Sequence, residues 1–159
     1  MEITFAPSDI LQIDDAVLIY RNFEGREDTY NREGDRNFAV RIFSEELADE
    51  LVARGWNVKI KPPRNADEEP FMFLPVKVKF NSRGPAAYLK ANRPRPIKLD
   101  EESIGMLDHI DILSADLDIR PHDWEVNGKT GRKAYLQSIH VTQRIDRFAE
   151  RYAEEEYPE

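Results

Sequence analysis

The chain has 159 residues, with 23 basic and 31 acidic side chains, a formal net charge of −8 and no cysteine. Its 34% charged and 10% aromatic residues are those of a globular chain of about one domain, not of a disordered one. The missing cysteines exclude disulfides, thiolate metal sites and thiol catalysis; no apolar run is long enough for a bilayer, and residues 1–5 lack a leader pattern, so an intracellular protein is expected.

Residues 15–23 (DAVLIYRNF) are apolar and β-prone and predict a strand. Glycines bracket the polar run 24–35 as a loop requires, and residues 37–43 predict a second strand. Ser44 offers an N-cap, Glu45 and Glu46 suit the positive end of a helix, and Gly55 stands where a C-cap belongs. Between them Leu47, Ala48, Leu51 and Val52 form an apolar stripe. Residues 56–61 and 71–80 alternate with period two, Val58, Ile60, Val76, Val78 and Phe80 facing one way and Lys59, Lys61, Lys77 and Lys79 the other. Pro75 suggests a bulge or a sheet edge. Residues 86–91 predict a short strand leading into Asn92-Arg93-Pro94-Arg95-Pro96, where the prolines hold the chain extended and its arginines in solvent. Asp100 caps a short helix over 101–110 with Ile104, Leu107 and Met106 inward. Residues 112–120 and 132–143 predict strands of a hairpin turning at 127–131. Thr142 or Gln143 opens a terminal helix with Ile145, Phe148, Ala149 and Tyr152 on one side, before the acidic run 154–159.

The net charge conceals a segregation. Residues 1–56 balance to −7, residues 57–98 to +7, residues 99–143 to −5 and residues 144–159 to −3. The basic block coincides with the alternating strands, so packing their apolar faces on a core leaves four lysines on one exposed sheet surface.

This order predicts a mainly β fold of the α+β kind. It is a mostly antiparallel, five-stranded OB-like barrel with a helix inserted after the second strand, a short helix before the last hairpin and a C-terminal helix. One OB-like domain covers 1–153, and 154–159 is an acidic tail. The layout resembles bacteriophage single-stranded DNA-binding proteins of the OB-fold type. The resemblance runs through residues 16–43 around Glu24-Gly25-Arg26 and Asn31-Arg32-Glu33-Gly34, then the lysine-bearing strands. It continues through Ile119-Arg120-Pro121-His122-Asp123-Trp124 before Gly128-Lys129-Thr130-Gly131, and the acidic end. It implies a sequence-nonspecific single-stranded DNA-binding protein of phage or prophage type in the cytoplasm of a bacterial host. Such a protein protects or presents single strands in replication or recombination and meets replication or recombination proteins through its acidic C-terminus. Neither cofactor, membrane nor catalysis is implied, and a homodimer stays open. Tails in such proteins are often longer with a hydrophobic tip; this one ends Tyr157-Pro158-Glu159.

Single-strand binding asks for cations along the phosphates and aromatic faces for the bases. Lys59, Lys61, Lys77, Lys79, Arg83, Lys90, Arg93 and Arg95 are the candidates for the first, with Arg26 and Arg32 in a mobile loop around Tyr30. Tyr30, Tyr88 and Trp124 are the candidates for the second, whereas Phe23 and Phe80 suit the core. The bland alternative is that the lysines are simply the solvent face of a half-buried sheet. A protein-binding adaptor or inhibitor acting through the acidic segments is a second reading. A metal-dependent nuclease using Asp116, Asp118, His122 and Asp123 is a weaker one, because the histidines lack metal-ligand spacing. Gly128-Lys129-Thr130 lacks the upstream glycine and the helix of a phosphate-binding loop and reads as a turn.

Overall fold

A computed structural model describes residues 1–82 and 84–145; Arg83, the body of the expected terminal helix and the acidic tail lie outside the described residues, while Thr142 and Gln143, expected to open that helix, instead end a strand. The chain opens with two strands that the sequence reading left unassigned, β1 (Glu2–Phe5) and β2 (Leu11–Asp14). β3 (Leu18–Asn22) and β4 (Arg36–Ile42) flank the polar loop, and α1 (Glu45–Ala53) follows. Then come β5 (Lys59–Lys61), β6 (Phe71–Val78), β7 (Ala86–Lys90) and β8 (Ile97–Leu99), and finally the long strands β9 (Ile112–Val126) and β10 (Lys129–Gln143).

These strands form one ten-stranded sheet in the order β1-β2-β9-β10-β6-β4-β3, with β5 added on β6 and β7 lying between β10 and β8. Pairing is antiparallel except where β10 meets β6 and β7. The protein is therefore mainly β, with one α-helix among the described residues and more strands than the five expected. β6 and β7 lie end to end along one side of β10, so β6 reaches Tyr135 and β7 takes over from Ser138.

The α1 helix forms as its sequence dictates. Ser44 Oγ accepts from the Leu47 N–H at 3.3 Å, Ala48 and Leu51 are buried, and Gly55 follows in the left-handed region at φ +92°. Val52, expected in the stripe, is instead 51% exposed. The helix expected over 101–110 is a 3-10 turn at Ile104–Asp108. Its tightness follows from Asp100, whose carboxylate accepts from the N–H groups of Glu102 and Ser103 and from the Ser103 hydroxyl. Ile104 and Leu107 are buried there as expected, but Met106 is exposed.

The hairpin is longer than its sequence suggests. Asn127 and Gly128 take φ of 51° and 77°, forming a two-residue turn, so pairing runs out to Val126 and Lys129. Trp124 thus lies on a strand. Pro75 marks neither a bulge nor the start of an edge; it sits within β6 where that border changes partner, β5 pairing as far as Phe73 and β10 from Val76. The core takes the even-numbered side chains of β6 (Met72, Leu74, Val76 and Val78) together with Phe38 stacked on Phe23 at 4.8 Å.

Candidate nucleic-acid interface

The register fixes which side chains share the outward face. In β6 the odd positions Phe71, Phe73, Pro75 and Lys77 turn away from the core. Cross-strand neighbours share a face, so Arg41 of β4 joins Phe73, and Lys59 and Lys61 of β5 join Phe73 and Phe71. Farther along the border that β5 occupies, Tyr135 of β10 lies beside Lys77, and beyond it Arg120 lies beside Tyr135, His122 beside Lys133 and Trp124 beside Gly131. One continuous face therefore carries the four lysines expected, with Lys79 reaching to 5.7 Å from the Tyr135 ring. Ile60, expected on the apolar side, is 53% exposed because β5 is a border strand with β6 as its partner.

Aromatic rings on this face form two groups. Tyr20 meets Phe73 at 5.3 Å and Phe71 at 6.5 Å, both edge-on. Lys61 stands over Tyr20 and Phe73, donating to the Tyr20 hydroxyl oxygen at 3.4 Å, and Arg41 lies 4.9 Å over Phe71 and 4.7 Å over Phe43. In the second group Arg120 lies 5.2 Å over Tyr135, with the His122 ring edge-on at 5.3 Å. The Arg120 Nε–H is buried with no acceptor among the described residues. Trp124 extends the face along the hairpin, its indole lying across Gly131, where a Cβ would fall 2.4 Å from the ring.

Tyr20 reaches this face by a backbone distortion. The β3–β4 register slips between Ile19 and Asn22, and Tyr20 adopts φ 52° with its side chain 56% exposed. A bulge re-aims a side chain in this way. Such a φ is uncommon for a bulky residue.

Other sequence candidates fare differently. Tyr30 is 98% exposed at the tip of the 24–35 loop, with Arg32 also exposed. That loop is not the slack connector expected: the Asn31 side-chain amide donates to the carbonyls of Arg26, Arg32 and Asp35, and Asn37 donates to Asn31 Oδ1 at 2.8 Å. Arg26 lies near carboxylates, 3.9 Å from Glu24 and 4.0 Å from Asp108. Lys77 pairs with Asp35 at 3.7 Å. Tyr88 stacks on His140 at 5.0 Å in a cleft that also includes Asp14, Asp116 and Asp118, with Lys98 as its cross-strand neighbour on the other side, so its surroundings are of mixed charge. Lys90, Arg93 and Arg95 belong to the β7–β8 hairpin, apart from the face.

The residues considered for a nuclease divide between surfaces: His122 joins Tyr135, whereas Asp123 turns the other way and binds Arg132 at 2.7 Å. That contact holds the Asp123 carboxyl below its ordinary value and raises the Arg132 guanidinium. The described residues contain no group of three or more His, Asp or Glu side chains placed to hold a metal.

Sequence reasoning missed Tyr20, Arg41, Phe71, Phe73, Arg120, His122, Lys133 and Tyr135. For Phe71 and Phe73 the signal was present: they share the parity of Lys77 and Lys79, so the alternation that turns those lysines outward turns the rings outward too.

The family model described as "Putative phage ssDNA-binding domain" matches residues 2–159. The chain belongs to this family. The single-stranded DNA-binding protein from bacteriophage Enc34 is similar to this family member in fold. The chain matches it with TM-score 0.57 at 10% identity over 91% of this chain and 86% of that one. Its C-terminal truncation gives TM-score 0.54 at 11% identity, covering 91% of each chain. The same protein in complex with ssDNA gives 0.55 at 12%, covering 91% of this chain and 92% of that one. Likeness at these identities is one of fold. No curated protein matches the chain.

Proposed function

We propose that the protein binds single-stranded DNA without sequence preference, and without catalysing a reaction, through the outward face of β4, β5, β6, β10 and β9. We read the sheet as an elaborated OB-like barrel in the service of phage replication or recombination. Family membership supports the ligand class. The observation that carries the assignment is the coincidence on one face of the exposed Tyr20 ring and the half-buried Phe71 and Phe73 rings with cations that have no carboxylate partner. Lys59, Lys61, Lys79 and Lys133 make no ion pair among the described residues; the first two flank Tyr20, Phe71 and Phe73, and the other two stand by Tyr135, a buried ring that Lys79 and Arg120 cover. Lysine stems suit phosphates approached in any sequence, and ring faces accept any base.

Fluorescence anisotropy with a labelled oligo-dT, competed by unlabelled single strand and by duplex, tests this. Salt-sensitive binding that prefers the single strand is expected, and the double variant Lys77→Glu/Lys79→Glu abolishes it while the protein stays folded. A chain that ignores single strands at low salt would return attention to its acidic surfaces and a protein partner.

A further inference from the structure

The β7–β8 hairpin carries Lys90, Arg93, Arg95 and Lys98, all exposed, and residues 86–99 contain no acidic side chain. None of the four has a carboxylate partner among the described residues. Pro94 and Pro96 stiffen the tip, and residues 90–98 contain no aromatic residue. The hairpin's one aromatic, Tyr88, lies across from Lys98 at its base and is already stacked on His140, so the tip beyond it holds phosphates by charge and offers bases nothing to stack on.

It is also separated from the stacking face. Lys77 lies beside Tyr135 of β10 and Lys90 beside Thr142, a span of roughly 20 Å at about 3.3 Å per residue. The cleft between them holds Tyr88 stacked on His140 next to the carboxylates of Asp14, Asp116 and Asp118. Asp118 accepts from the Ser138 hydroxyl and Asp116 from the Asp15 N–H, so these carboxylates are fixed in place. Phosphates following β10 from one basic surface to the other would meet them at close range.

We propose that the β7–β8 hairpin is a second phosphate contact, free of stacking, engaged only by a strand long enough to pass the acidic cleft. The proposal rests on the single-strand reading of the outward face. A short oligonucleotide is satisfied by that face alone. A longer one reaches both, and the second contact then forms at the high effective concentration set by the first.

The test compares oligo-dT of about 6 and about 20 nucleotides, one near the short end of the usual site sizes and one beyond them. Binding to the unaltered protein, to Arg93→Glu/Arg95→Glu and to Lys77→Glu/Lys79→Glu is followed by anisotropy over a salt series. Arg93 and Arg95 are exposed, so the thermal melt of their variant is expected to stay unchanged. Its affinity for the short strand is expected to hold. For the long strand it falls by about tenfold at low salt, with a salt slope shallower by about 1.4, two contacts at roughly 0.7 each. Equal loss at both lengths would make the hairpin part of one continuous track, and no loss at either length would leave it without a role; each overturns the proposal. Normal binding by the lysine variant overturns the reading of the outward face instead, whatever the arginine variant does.

Discussion

Tyr20 is where folding and binding make opposite demands. Its φ of 52° suits glycine, and holding a bulky residue there costs on the order of 1–3 kcal/mol, yet the bulge is what turns the ring beside Phe73 and Lys61. Tyr20→Gly removes strain and ring together. Its melting temperature is expected to hold or rise while affinity for oligo-dT falls by roughly 1–3 kcal/mol, the contribution of one stacked base. A variant that melts lower and binds as before would contradict this account. Asp35 poses a second residue-scale question, since it occupies Lys77 from 3.7 Å with both side chains about 40% exposed. Asp35→Asn is expected to tighten binding by less than about 1 kcal/mol, the scale of an exposed pair, and to do so most at low salt in the same titration. The parity that exposed Lys77 was readable from one strand. The Tyr20 bulge was not, because a register slip depends on the partner strand and leaves no mark in the local alternation.

At the scale of elements, the outer part of the β9–β10 hairpin depends on one clamp. Arg132, with its side chain 16% exposed, bridges Asp123 at 2.7 Å and Asp9 at 3.3 Å and lies 5.3 Å over the Trp56 ring. It thereby ties the hairpin to the turn at Pro7–Asp9 and to the segment after α1. Because the hydrogen bond from Arg132 lowers the Asp123 pKa in the folded state, the stabilisation is fully present above the ordinary value of 3.8 and is lost as pH falls through the lower folded value. Asp123→Asn should therefore flatten the stability profile below about pH 4, measured by denaturant melts at stepped pH, and leave the slope above pH 5 unchanged. On the opposite side of the same arm, Trp124 needs the bare backbone of Gly131; Gly131→Val is expected to displace the indole and change its fluorescence emission. The α1 helix was legible because cap, stripe and terminating glycine are local signals. The hairpin's reach was less so, since Asn127-Gly128 announces a turn without saying how far the flanking residues zip, and Thr130 and Trp124 fit strand or loop alike.

For the molecule as a whole, a net charge of −8 predicts repulsion from DNA, while the outward face predicts attachment to it. Distance decides between them. At physiological ionic strength the field of remote carboxylates decays over about 8 Å, so a bound phosphate responds mainly to the side chains it touches. On the face these are Lys59, Lys61, Lys77, Lys79 and Lys133, with Asp35 as the opposing charge paired to one of them. If about five phosphates are neutralised, the log–log dependence of affinity on salt should have a slope near −3 to −4, at roughly 0.7 per contact. Remote acids still act on the approach, where the partners are farther apart. Added salt should therefore change the association rate little, because it also screens the remote acids, and act mainly by speeding dissociation; stopped-flow and equilibrium titrations over one salt series would separate the two. A slope near zero with affinity retained would mean that stacking alone holds the strand and that the lysines of β5 and β6 are merely the wet side of a sheet.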